Sequence, residues 1–590
     1  MPEPHLLNVA YNRKPADTLI TGARLVNVLT GETYQAGVAL AGDRIAAVGD
    51  VADRRGPDTR VIDADGLFLT PGLIDGHVHI ECSKLSVTMF AGLVSRYGTT
   101  SAVSGLDQIL VVAGLDGVRE FLAEADRSTL RIFWGAPAKA PYTVPESTVG
   151  HRFGPAEHAE AQNWPECTGL WETVQEFIEH GDPEVLEAIR MAFRNRLPVF
   201  GCAPMADDRR IAGLAAAGVR LDHESYSAEE ALTKLRNGIH VIIRESTAAP
   251  FLNENIQILT RDGAAPGRVA FCTDDVTATD LLGRGHLDHL VRMAIEAGVD
   301  PVTAIQMATI NCASMYGIDH QVGAVAPGRF ADMLLVEDLS DFRATVVIAG
   351  GEVVARDGEL LTEPVAPERS ARLRDTIVLR EIAPDDLAPV VTTDRAEVPV
   401  LAMSLSADVA FVRGRKDAVL PVVDGRIVAD TVQDVLYVAV AERYGKTDHL
   451  PVAFVHGFGL ANGAIATSAA PDDNNIVCVG ADPGDMAVAI NAITGAGGGQ
   501  VVVRDGHVVD MLPLPIGGIV ADLPPEEMSR REQELDEHAR ELGSGLPSPF
   551  GQLIFLSITA IPEYAITDLG LIDCVELKPI NPVLDAEEAS

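Results

Sequence analysis

Regularly spaced cysteines are missing from this chain: its seven, at 82, 167, 202, 272, 312, 478 and 574, are scattered and form no CxxC pair. An odd, irregular set argues against a disulfide framework and reads as reduced thiols in a cytoplasm. Long apolar runs are missing too, since no segment reaches the ~18 uncharged residues of a membrane helix. The opening MPEPHLLNVAYNRKPADTL has no apolar signal core, so a soluble, cytoplasmic protein is expected. Positive charge is scarce, with 46 Lys and Arg against 85 Asp and Glu, a net charge of −39. That balance disfavours a nucleic-acid backbone or an anionic membrane as partner. A neutral or cationic small molecule suits it better. Apolar residues at 47% and charged residues at 22% are ordinary globular composition, and 590 residues predict two or three domains.

Residues 18–70 alternate apolar and polar positions between turn pairs, as in TLITGARLVNVLTGETYQAGVALAGDRIAAVG, and read as strands. The same texture returns at 331–361 in ADMLLVEDLSDFRATVVIAGGEVVARDGELL. The reading is one small β-sandwich domain built from both flanks, 1–70 and 321–365. Between them, 71–320 alternates short apolar runs (GLIDGHVHI, LRIFWGA, LPVFGCAP, HVIIRES) with helical stretches such as DPEVLEAIRMAFRNR. Repeated strand–helix alternation over ~250 residues is the pattern of a (β/α)8, TIM-like barrel, whose active sites lie at the C-terminal ends of the strands. A Pro- and charge-rich linker is expected at 366–398, then a C-terminal α/β domain at 399–590. The GAGGGQ run at 495–500 lacks a phosphate-binding pattern and reads as a turn.

The chemistry concentrates at strand ends. His77 and His79 are two apart on the strand GLIDGHVHI, so both imidazoles face one side and can meet one cation. Later strand ends offer Glu172 after GLW, Cys202 after VFG, His223 in LDHE and Asp274 in FCTDD. A carboxylate set between imidazoles can bridge two cations. An Asp at the last strand end can take a proton from a water that a cation has acidified. Each residue alone has an ordinary structural reading: a surface carboxylate, a core histidine, a small buried thiol. The ordered series across one barrel points to a divalent metal site.

These motifs carry a resemblance. PGLIDGHVHIE, GTT, GLWE, LDHES with SAEEALTKLRNG, IRES, FCTDD, GHLDHLVRMAIEAGVDPVTAIQMATINCA, GAVAPGRFADMLLV, FVHGFGL, GAIA, LPLPIGG and SPF resemble the adenine deaminase family of the amidohydrolase superfamily over nearly the full length. The resemblance implies the amidohydrolase barrel, the flanking β domain and a further C-terminal domain. It implies metal ligation by His77, His79, Glu172, His223 and Asp274, with Asp274 also a proton shuttle. It further implies manganese or iron, with zinc in many relatives, and a homo-oligomer, dimer or tetramer.

Three motifs depart from the family's pattern. Gly201-Cys202-Ala203-Pro204-Met205 stands where the family has Gly-His-Ala-Pro-Gly; Cys202 is then either a thiolate ligand, favouring zinc, or inert filler. Gly105-Leu106-Asp107-Gln108-Ile109 replaces Asp-Pro-His-Glu-Ile, and Pro471-Asp472-Asp473-Asn474-Asn475 replaces His-Asp-Ser-His-Asn. These changes remove histidines that handle substrate in the family and leave carboxylates at 107, 472 and 473, which suit a cationic or amine-bearing molecule. Asp107, Gln108, Arg244, Asp472 and Asp473 are the substrate-binding candidates, and Asp274, Glu172 and His223 the catalytic ones. Arg244 in Arg244-Glu245 either anchors substrate or pairs with His223. His286 and His289 read as a polar helix face.

The expectation is a metal-dependent hydrolase of adenine deaminase type, with one or two ions, that acts on a C–N bond of a purine or related aminated heterocycle, with adenine itself in doubt. Hydrolysis of an amide or cyclic amide is the enzymatic alternative. A ligand-binding paralogue without turnover is the non-enzymatic one.

Overall fold

The computed structural model describes residues 4–405, 412–561 and 563–584. At its centre lie eight parallel strands: β1 Leu73–Asp75, β2 Thr99–Ser104, β3 Arg131–Pro137, β4 Cys167–Val174, β5 Val199–Cys202, β6 Val219–Asp222, β7 His240–Arg244 and β8 Val269–Cys272. Each pairs with the next along the chain. Every residue of β2 and β8 is buried, as strands covered on both faces require. The ring closes where Gly76 N donates to Phe271 O (3.1 Å) and Asp274 N to His77 O (2.8 Å). Closure therefore lays the segment after β1 directly beside the end of β8. That is how His77 and His79 come to face Asp274.

The outer helices form for local reasons. In Pro183–Arg194 the Asp182 side chain accepts from Glu184 N and Val185 N, Pro183 opens the helix, and Val185, Ala188, Ile189 and Ala192 are its buried stripe. That stripe packs against Leu170, Val199 and Phe200 of the barrel wall.

A nine-stranded sheet joins both flanks of the barrel, as Phe68–Pro71 pairs antiparallel with Met333–Val336. Its core holds Ile20, Leu25, Val38, Leu69, Met333, Leu335 and Ile348. A second nine-stranded sheet occupies the C-terminal part, with the helix Pro483–Ala496 packed on it through Met486, Ile490 and Ile493. The run at 495–500 is a helix-to-strand turn, with Gly497 left-handed at the helix end and the strand Gly499–Arg504 following. Gly498 passes so close to Gly518 that an added Cβ would stand 2.3 Å from its Cα. The helix Pro525–Glu541 returns to the barrel, where Lys84 meets Glu532 at 2.7 Å. No helix among the described residues is long and apolar enough to cross a membrane.

Candidate active site

Four donor atoms converge at the C-terminal mouth of the barrel. His77 Nε2 lies 3.3 Å from His79 Nε2, 3.5 Å from Glu172 Oε1 and 3.5 Å from Asp274 Oδ1. His79 Nε2 stands 3.5 Å from Glu172 Oε1 and 3.4 Å from Asp274 Oδ1. Nitrogens about 2.05 Å from a tetrahedral zinc are themselves about 3.4 Å apart, so the spacing matches donors around one divalent ion. Glu172 and Asp274 reach the centre with φ of +36° and +57°, a left-handed backbone that costs energy in non-glycine residues and concentrates at functional sites. The His77 ring is stacked between Trp171, 4.0 Å away, and His223, 3.6 Å away.

The same Glu172 oxygen lies 3.6 Å from His223 Nε2, which places it between two donor groups. Cys202, His223 and Glu224 form the second group, their ligand atoms within 4.8 Å of one another. Glu224 was not singled out from sequence. Its Oε2 is buried without a partner, and its Oε1 accepts from Arg244 at 2.6 Å. Arg244 also donates to Asp274 Oδ2, so its partners include both of these carboxylates.

Electrostatics fit a cation. Burial pulls His77 down to about 3, which keeps a neutral imidazole ready to ligate. Burial also lowers His79, but Asp107 and Glu172 push it well above the ordinary imidazole value. Burial, outweighing Arg244, lifts Glu224 to about 8. Burial raises Cys202 well above an ordinary thiol, and Glu172 and Glu224 add to it. Asp274 goes the other way: burial would raise it, but Arg244 and His223 hold it below the usual carboxylate range. Buried acids gathered around the three imidazoles of His77, His79 and His223 suit a cation, and a divalent ion bound there would add positive charge to that of Arg244.

A pocket of about 790 Å³, including its open mouth, sits over these donors. Asp107, Gln108, Glu172, Cys202, Arg244, Asp274 and Asp472 all line it. Asp107 Oδ1 also lies 3.1 Å from His79 Nδ1, and Gln108 Nε2 donates to Cys82 Sγ at 3.3 Å. Asp473 is the exception. It is fully buried behind the pocket, where its carboxylate accepts from Asn475 N at 3.0 Å. Adjacent residues leave the backbone in different directions, so Asp472 enters the pocket and Asp473 does not. Tyr142, Tyr226 and Asp275 line the pocket as well and carried no sequence signal. His286 is a buried structural histidine, 2.8 Å from Thr99 and 3.0 Å from Asp75. Glu245 accepts from Leu252 N, holding the loop after β7.

A closed parallel barrel with HxH, Glu, His and Asp converging at its mouth defines a hydrolase of the amidohydrolase class. The Amidohydrolase family matches residues 172–354, and the Adenine deaminase C-terminal domain matches residues 411–578. Adenine deaminase 4 of Rhizobium meliloti is 55% identical over 96% of this chain and 95% of its own length. Adenine deaminase 1 of Desulfotalea psychrophila is 50% identical over 97% and 96%, and Adenine deaminase 1 of Latilactobacillus sakei is 46% identical over 98% of each. The chain belongs to the adenine deaminase family. It is an amidohydrolase acting on a non-peptide C–N bond. Neither the expected change of substrate away from adenine, nor the amide-hydrolase and non-enzymatic alternatives, find support among these relatives.

Proposed function

We propose that this chain deaminates adenine by hydrolysis, replacing the exocyclic amino group with oxygen and releasing ammonia. The observation that carries this reading is the convergence of His77, His79, Glu172 and Asp274 at 3.3–3.5 Å under the pocket. A divalent ion held there would lower the pKa of a water toward neutrality and polarise the electrophilic carbon. Asp274, kept charged by Arg244, accepts the proton of the attacking water and passes it to the departing nitrogen. His223 and Glu172 hold the second donor position. Asp107 fixes the His79 ring while Gln108 and Asp472 offer polar contacts to ring and amino nitrogens. Asp472 is pushed well above the ordinary carboxyl value by burial, Glu172 and Asp107, so it can present an O–H to a ring nitrogen.

The same reading includes one or two ions, manganese or iron by family and zinc through Cys202, and a homo-oligomer. The test is ammonia release from adenine by protein loaded with each metal, with metal content measured in parallel. Ammonia matched by an equal amount of deaminated purine is the expected result. Metal-loaded protein inert toward adenine would overturn the reading.

A further inference from the structure

Arg413 opens the strand Arg413–Val423 of the C-terminal sheet and is 1% exposed. Among the described residues no carboxylate lies within ion-pair distance of it. Its guanidinium instead donates to three backbone carbonyls: Phe555, Ile558 (2.7 Å) and Ile561 (2.8 Å). Burial pulls its pKa down to about 10, and it keeps its charge at neutral pH. The three acceptors recur every three residues in the irregular stretch beyond the short helix Pro549–Leu553. A planar five-donor fork can satisfy several of them at once.

The segment so held faces the active site. Phe555, Ile558, Ala560 and Ile561 line the pocket, and Phe555 packs on Ala249 beside Tyr226 and Phe251 from the loops after β6 and β7. Ser557 Oγ donates to Pro471 O at 2.8 Å, next to Asp472. Thr559 Oγ1 accepts from Val144 N at 2.8 Å. The pocket thus has an acidic, metal-facing side from the barrel and an apolar side from residues 555–561. Burying a cation is costly, and what it gains here is one fixed shape for that apolar side.

We infer that residues 555–561 form the specificity-determining wall against the flat face of the substrate's heterocycle, and that Arg413 is the positioning residue that sets it. This rests on the adenine reading for the identity of the ring, but the role of Arg413 can be read without substrate. Hydrogen–deuterium exchange of residues 549–563 is compared between the wild type, Arg413→Gln and Arg413→Lys, all metal-loaded, followed by kinetics on adenine. In Arg413→Gln, exchange in this segment should rise about tenfold with the barrel unchanged. KM should rise about tenfold while kcat stays within a factor of about three, the pattern of lost uniform binding. Arg413→Lys should recover part of both. Unchanged exchange, loosening of the whole chain, or a fall in kcat at unchanged KM would overturn the proposal. Should Arg413→Gln fail to fold, Phe555→Ala takes its place, with the same KM-against-kcat pattern expected and an unchanged KM overturning it. If the wild type is inert toward adenine, the functional reading fails, and the exchange comparison decides the role of Arg413 alone.

Discussion

His79 Nδ1 lies 3.1 Å from Asp107 Oδ1, which ties a metal-facing ring to the first residue of the helix Asp107–Ala125. The carboxylate fixes which ring nitrogen is free to face the donor cluster, and raises its basicity. Asp107→Asn keeps the shape and removes the charge. Metal affinity is expected to fall about 10–100-fold, read by competition with a chelator of known affinity. An unchanged affinity would leave Asp107 with the substrate alone.

The protonation pattern predicts how the metal-free protein responds to pH. Burial holds His77 at about 3, below its unfolded value near 6.5, so its contribution to stability is lost as pH falls from about 6.5 toward 3. For His79 the folded value lies above the unfolded one, so its contribution is present at low pH and lost as pH rises through the folded value. Glu224, lifted to about 8 by burial, acts in the same direction. The metal-free protein should therefore melt highest at mildly acid pH and lose stability on both sides. A divalent ion should flatten the alkaline side, and its affinity should rise with pH as His79 gives up its proton. Melting curves across pH with and without metal check both signs.

Arg244 donates to both Glu224 and Asp274, and its charge keeps the Asp274 carboxylate ionised despite burial. Removing it should raise the pKa of Asp274. Arg244→Gln is expected to lower kcat by about 10²-fold or more, the usual weight of a positioned acid–base group. The acid limb of the pH–rate profile should move to higher pH. A drop in kcat with that limb unmoved would mean that Arg244 acts on substrate and not through Asp274.

Gly105 shows what one sequence departure accomplishes physically. A Cβ at this position would stand 2.3 Å from Trp171 Nε1, and Trp171 is the fully buried ring stacked on His77. Gly105→Ala should destabilise the protein by about 1–3 kcal/mol through overpacking. It should also weaken metal retention, because Trp171 supports a ligand. A thermal scan and a metal analysis of the purified variant test the two effects together.

Much of this site was legible in the sequence because strand geometry is simple. The two-residue spacing of His77 and His79 and the strand-end positions of Glu172, His223 and Asp274 translate directly into one cluster. Glu224 was hidden because it follows His223 immediately, and in an extended chain neighbours are expected to face apart. Here Asp222 turns to Lys234 Nζ at 2.7 Å, the chain leaves β6, and Glu224 comes in beside Arg244. Asp473 failed in the opposite sense, since a pair of adjacent acids gave no sign of which one enters the pocket. The apolar wall at 555–561 is irregular, lies far from the barrel in sequence, and takes its place through Arg413. No local period announces such a contact.

We propose that Cys202 sets the metal preference of the second position. It ends β5 in the second donor group, with His223 and Glu224, while burial and the charges of Glu172 and Glu224 keep it a neutral thiol when no cation is present. A bound cation reverses that balance, and a thiolate favours zinc over manganese. Replacing sulfur with a hard oxygen should therefore act on one metal and not the other. Cys202→Ser is expected to lower zinc affinity by about tenfold or more and to leave manganese affinity nearly unchanged. Cys202→His should strengthen manganese binding by supplying an imidazole at the same strand end. Equal effects on both metals, or none on either, would make Cys202 a packing residue. The second position would then rest on Glu172, His223 and Glu224.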